Sequence, residues 1–291
     1  MIKIYIKGDK KVILAYLFPA IFIISVFLYY PLGRVLFKSF FYWDGFSVSK
    51  FIGFDNYIRL FHDPIVWKAL KNTMILLVSV VVFQVGLGIV LALLVDMIKL
   101  GQNFFKTIYF FPIVIAGSAL ALLFQLFYKY DGGMFNSILQ MFGKEPIVWL
   151  TEKRSLMLVI IPTVWQYVGF YFVIILTAIT KIPESFYEAA KLEGANAFQR
   201  IIHITLPIIM GDIKVALILA ITGTLKVFDF VFIITNGGPL NSSEVFGNYL
   251  YKMTFRDYQF GYGSAIAIVI IILGLVLTFL TNTFLKSEDD L

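Results

Sequence analysis

Six stretches of this chain, at about 11–31, 73–95, 107–128, 156–179, 213–235 and 262–285, are apolar for long enough to cross a bilayer as helices. A span needs about 20 helical residues, and inside the hydrocarbon every backbone N–H and C=O must be bonded within the protein. The predicted fold is therefore all-α, a membrane protein of six transmembrane helices in which 1–291 forms a single transmembrane domain. Composition agrees. Of 291 residues 60% are hydrophobic and only 14% charged, against about 45–50% and about 25% in soluble domains.

Several functions are disfavoured at once. The chain has no cysteine, which removes disulfides and thiolate chemistry. It has no Gly-x-x-x-x-Gly-Lys-Ser/Thr loop and no His-Glu-x-x-His, and its only histidines are His62 and His203. No catalytic residue and no metal site are predicted. The net charge of +6 is spread over the loops, which suits an anionic lipid surface and points to no nucleic acid. Behind Lys3, Lys7, Lys10 and Lys11, the first apolar stretch runs to about Tyr30 without a small-x-small cleavage site. That exceeds a signal-peptide core of roughly 7–15 residues, so it reads as an uncleaved first helix. The N-terminal lysines and the compact Lys99–Lys106 turn place both termini in the cytoplasm.

One polar loop, 180–212, then faces the cytoplasm and carries most of the chemical information. Pro183 suits the first turn of a helix, and Glu184 the positive end of its dipole. This helix would turn Phe186, Ala189, Ala190 and Leu192 toward apolar surroundings. Gly194 ends it in the left-handed conformation, and Asn196 with Gln199 forms a capping box for a second helix. The second helix presents Phe198, Ile201 and Ile202 until Pro207 interrupts it. Glu188, Lys191 and Arg200 supply charge at the rim of a small knob. Such a knob either seats in a groove on another protein or rests on lipid.

A pathway for a polar, uncharged solute wants hydroxyls, amides and aromatic faces. The fourth span offers Thr163, Trp165, Gln166, Tyr167 and Tyr171, of which Thr163, Gln166 and Tyr167 share a helical face. These residues serve either as pathway lining or as hydrogen-bonding glue between helices. Lys226 and Asp229 are the clearest intramembrane charges, spaced i, i+3 for mutual pairing or for contact with solute. Gln125 and Gln84 are further candidates.

The loop also carries Glu188-Ala189-Ala190, Gly194, Ile204 and Leu206-Pro207 at the spacing of the EAA loop. On these residues the chain resembles the permease subunits of carbohydrate-type ABC importers, in the compact six-helix form related to the maltose transporter's larger permease. The resemblance extends to Phe54-Asp55-Asn56-Tyr57, Asn72-Thr73, Val227-Phe228-Asp229-Phe230, Thr235-Asn236-Gly237-Gly238-Pro239 and Gly261-Tyr262-Gly263-Ser264-Ala265. It implies a subunit of the bacterial plasma membrane that forms half of a translocation pathway. The other half would be a second, non-identical permease bearing its own EAA loop, with two ATPase subunits inside and a solute-binding protein outside. No cofactor would be bound by this chain, with ATP and Mg²⁺ held by the partner ATPase. Glu188 would pair with a basic residue in the ATPase groove, Gly194 would allow the sharp turn, and Ala195–Ile202 would be the coupling helix. Ala189, Ala190, Phe198, Arg200, Leu206 and Pro207 belong to the same coupling element. The cargo implied is a sugar. Competing readings are an ABC permease for another solute and an ion-coupled carrier, which would show inverted repeats and ion-coupling carboxylates.

Overall fold

A computed structural model describes residues 10–98 and 101–284. Lys3, Lys7, Lys99 and the C-terminal tail lie outside the described residues. The helices are α1 (Ile13–Lys38), α2 (Asp55–His62), α3 (Pro64–Asp96), α4 (Gln102–Val114), α5 (Gly117–Phe127), α6 (Met134–Met141), α7 (Ser155–Ile179), α8 (Glu184–Leu192), α9 (Ala197–Arg200), α10 (Met210–Thr224), α11 (Asp229–Ile234), α12 (Phe246–Tyr251) and α13 (Phe260–Phe284). A two-stranded antiparallel hairpin pairs β1 (Phe41–Tyr42) with β2 (Lys50–Phe51).

Among the described residues, five helices are long and apolar enough to cross a membrane, and α4 with α5 makes a sixth span if counted as one. The six predicted stretches therefore survive, with different ends and two breaks. The first runs on to Lys38 rather than stopping near 31. The second begins at Pro64 rather than 73, because the Asp63 carboxylate accepts from the Ile65 N–H at 2.9 Å and Pro64 fits the first turn.

The third stretch, predicted as one helix over 107–128, is two helices bent by 86°. Pro112 brings no N–H to the ladder, and Ile115 is extended at ψ 134 before α5 restarts at Gly117. The fifth stretch also breaks, between Thr224 and Asp229. There Thr222 and Thr224 turn their hydroxyls back onto the Ile218 and Ala220 carbonyls, both within 2.8 Å.

The chain divides into two compact units. The first joins the described residues up to His62 with Lys252–Val269. In it the Asn56 amide donates to the Ser39 and Phe41 carbonyls at 2.8 and 3.0 Å, fastening α2 to the hairpin. The most apolar window of α1 has no buried residue.

The second unit holds Asp63–Tyr251 and the chain from Ile270 onward. Its core is built around α7, whose Val159, Phe172, Ile175 and Leu176 are fully buried with Leu76 and Val80 of α3, Leu120 of α5 and Ala216 of α10. Gly169 lets α4 approach α7 closely, since a Cβ there would overlap the Tyr109 carbonyl. Two segments that the sequence offered separately are joined here. The Asn72 amide donates to the Ser242 and Glu244 carbonyls at 3.0 and 2.9 Å, and the Thr73 hydroxyl accepts from the Phe246 N–H at 3.2 Å. The Asn236–Pro239 turn is present, with Asn236 and Gly237 at φ 49 and 78 and a cis Gly238–Pro239 peptide. Glu244, which the sequence gave no reason to notice, is fully buried beside it and accepts from the Asn248 amide at 2.6 Å.

Candidate functional site

The two broken helices meet. Gly117 at the start of α5 and Asp229 at the start of α11 line one cavity of about 430 Å³, closed by α3, α7 and α10. A Cβ at Gly117 would lie 3.3 Å from an Asp229 carboxylate oxygen and 3.8 Å from the Gln166 amide oxygen, so the three groups share one wall. Val80, Ile113, Phe170 and Leu219 supply the apolar remainder. Irregular backbone is tolerated at membrane depth where protein buries it or a cavity borders it, and this cavity borders both breaks.

Carbonyls at and beside these irregularities accept from side chains. Pro162 lies within α7 and cannot donate to Leu158, whose carbonyl instead accepts from the Tyr128 hydroxyl at 2.9 Å. The Gln84 amide donates to the Thr163 carbonyl at 2.6 Å, and the Thr163 hydroxyl to Val159 at 2.8 Å. The Gln166 amide donates to Ile115, inside the α4–α5 break, at 3.0 Å, while its oxygen is buried with no partner. The Gln125 amide reaches the Ile233 carbonyl at the end of α11.

The candidate residues therefore separate. Thr163, Gln166, Tyr167, Lys226 and Asp229 line the cavity, as do Gln84 and Tyr171. Trp165 does not; it lies on another face of α7, its ring 6.0 Å from Phe124. Gln125 also lies outside the cavity lining, its amide spent on Ile233. Lys226 and Asp229 form no ion pair with each other, because the segment between them is not helical and the i, i+3 spacing no longer stacks them. Both carry exposed side chains. Glycine and the hydroxylated pair at 222–224 were the local signals for that break.

The 180–212 loop forms the expected two-helix knob. Pro183 sits one position before the first turn, as N-cap of α8. Gly194 is left-handed at φ +85, and the Ala195 N–H donates to Ala190 at 2.9 Å, closing the turn. The capping box is complete, with the Asn196 side chain accepting from the Gln199 N–H at 2.9 Å and the Gln199 side chain from the Asn196 N–H at 2.8 Å. The Tyr187 and Thr205 hydroxyls join the two arms at 3.0 Å.

Pro207 does not interrupt the second helix. A π-helical turn at Ile201–Thr205 lets the Leu206 N–H bond Ile201, and the helix continues through Leu206–Ile208. The apolar surroundings expected for α8 are also missing from this chain. Helix α8 has no buried residue, and Phe186, Leu192 and Phe198 are 52%, 90% and 70% exposed. Ala189, Glu188 and Ile202 are exposed beside them, while Ala190, Ala195, Arg200 and Leu206 are partly covered. Large apolar side chains left in the open beside charged ones mark a surface that lipid or another molecule covers.

Among the described residues, no group of three His, Asp or Glu side chains is gathered to hold a metal. The family model described as "Binding-protein-dependent transport system inner membrane component" matches residues 84–287. The chain is 36% identical to the lactose transport system permease protein LacF of Rhizobium radiobacter, over 90% of each chain. It is 31% identical to the sulfoquinovosyl glycerol transport system permease protein SmoG of Agrobacterium fabrum (strain C58), over 97% of this chain and 92% of the relative. A bacterial alginate ABC transporter, solved in complex with an alginate pentasaccharide-bound periplasmic protein, contains a chain with a TM-score of 0.82 and 25% identity. That match covers 95% of this chain and 96% of the other.

Proposed function

Since the chain belongs to the family of inner membrane components of binding-protein-dependent transport systems, we propose that it is one permease of an ATP-driven importer of sugars or oligosaccharides. The observation that carries this reading is the exposed knob. A capped helix pair with a left-handed glycine turn projects Phe186, Leu192 and Phe198 away from its own chain, where a partner ATPase would receive it. Glu188 would supply the charged contact at its rim. ATP and Mg²⁺ would be held by that partner and not by this chain. Both termini and the knob would lie in the cytoplasm, and a solute-binding protein would dock on the opposite side.

The carbohydrate cargo follows from the relatives, which carry lactose, a sulfoquinovosyl glycerol and alginate. It suits a cavity whose wall combines Tyr167, Phe170 and Phe228 with the Gln166 amide and the Asp229 carboxylate. Mechanically, ATP-driven approach of two knobs would move the permeases as rigid bodies between inward- and outward-facing states, because the nucleotide-bound ATPases contact the two states differently. Family membership argues against an ion-coupled carrier. The test is reconstitution with the second permease, the ATPases and the binding protein in vesicles. ATP-dependent uptake of a labelled sugar supports the reading, and uptake that ignores ATP depletion would sink it.

A further inference from the structure

We propose that the first unit contains a second binding site, for a neutral sugar ring. Its basis is a cavity of about 290 Å³ lined by Trp43, Asp44, Arg59, Asp257, Tyr258 and Gln259, none of which belongs to the cavity around Asp229. The walls are built rather than incidental. The Asp44 carboxylate accepts from the Phe46 and Ser47 N–H groups at 2.9 and 2.7 Å and from the Ser47 hydroxyl at 2.8 Å, fixing the turn that follows Trp43. The Trp43 carbonyl accepts from the Gly261 N–H at 3.1 Å, which ties this wall to the one bearing Tyr258 and Gln259.

The chemistry selects the ligand class. The Gln259 amide oxygen is buried without a hydrogen-bond partner, a costly arrangement that a ligand O–H would relieve. Asp44, and Asp257 with Arg256 3.5 Å from it, add further acceptors, so the site favours a donor-rich ligand over an anionic one. The Arg59 guanidinium lies over the Tyr262 ring at 4.0 Å, which leaves its N–H groups to donate at the edge. Tyr258 is held at φ +52, an uncommon conformation for a large side chain, with its ring 5.7 Å from that of Phe46. Acceptors, a fixed guanidinium and aromatic surface together suit the hydroxyls and apolar face of a sugar. The class of ligand rests on the carbohydrate reading above, whereas the cavity does not.

The experiment uses the full chain assembled with its partner subunits in nanodiscs, with Trp67, Trp149 and Trp165 changed to Phe so that Trp43 is this chain's only tryptophan, and the same assembly carrying Trp43→Phe supplies the partners' emission to be subtracted. Lactose, maltose and glucose are titrated, with glucuronate as the anionic comparison. We expect a saturable change in Trp43 emission with at least one neutral sugar in the millimolar range, and weaker binding of glucuronate. Gln259→Leu should weaken that binding about tenfold or more without lowering the unfolding temperature, since it removes an unpaired buried acceptor. A silent Trp43 with all three sugars, equal binding of glucuronate, or a Gln259→Leu variant that unfolds earlier yet binds unchanged would overturn the site. ATP-driven uptake of the same sugars is measured in parallel. Uptake with a silent Trp43 removes only this site, and a Trp43 response without uptake keeps the site while removing the cargo assignment.

Discussion

The Gln166 amide donates to the Ile115 carbonyl across 3.0 Å, tying the middle of α7 to the gap where α4 ends and α5 begins. One side chain thus closes a backbone fault and turns its own unpaired oxygen toward the wall that holds Asp229.

Gln166→Leu should therefore lower thermal stability in detergent by roughly 0.5–2 kcal/mol, the range for interhelical hydrogen bonds in membranes. Transport should fall more steeply than stability, because the same change strips a polar group from the cavity. Unfolding curves and uptake rates of one preparation would check this, and a variant equal to the parent in both would contradict it.

Gly169→Ala probes the tight approach of α4 to α7. The added methyl overlaps the Tyr109 carbonyl, so the helices must separate, at a cost of about 1–3 kcal/mol. The control is Gly33→Ala, where a Cβ meets nothing within 4 Å. A lower unfolding temperature is expected for the first variant only.

Gly194→Val places a branched side chain at φ +85, costing about 1–2 kcal/mol locally. The membrane fold should persist while ATP-driven uptake and ATPase co-purification fail. Asn196→Ala should remove about 1 kcal/mol of capping and raise hydrogen exchange across 197–205, with milder loss of uptake. If Gly194→Val still co-purifies the ATPase and drives uptake, the coupling role of the turn is wrong.

Asp44 offers a titration. The Ser47 and Phe46 N–H groups and the Ser47 hydroxyl hold its carboxyl below the ordinary value of 3.8. A depressed folded-state pKa means this turn's contribution is present above the unfolded value, about 3.9, and is lost as pH falls through the lower folded one. Trp43 emission should shift with a midpoint below 3.8, and Asp44→Asn should abolish the transition. A midpoint at or above that value would contradict the assignment.

What could be read from the sequence was what depends on neighbours along the chain. The Asn196–Gln199 capping box and the Gly194 turn are local, and both formed as expected. The apolar stretches announced their helices for the same reason. Hydropathy alone hid the α4–α5 break, since 107–128 is apolar on average and only Pro112 and Gly117-Ser118 mark the place. Pro207 misled in the opposite direction, because a π-helical turn absorbed it. Trp165 and Gln125 fall outside the cavity lining because the facing of α5 and α7 depends on packing partners far away in sequence. Glu244 gave no signal, since its burial depends on the folded 236–249 region and on Asn72 from another helix.

The bare apolar surface of α1 has a consequence for how much of this protein a cell can keep. A helix with no buried residue in its most apolar window draws its stability from the lipid or subunit that surrounds it, and a subunit that binds only the folded form stabilises by mass action. Where a partner subunit supplies that cover, abundance should follow the supply of the partner as well as the rate of synthesis. Copies made in excess would then have lipid alone as cover for that helix and would be the first to meet the membrane's proteases.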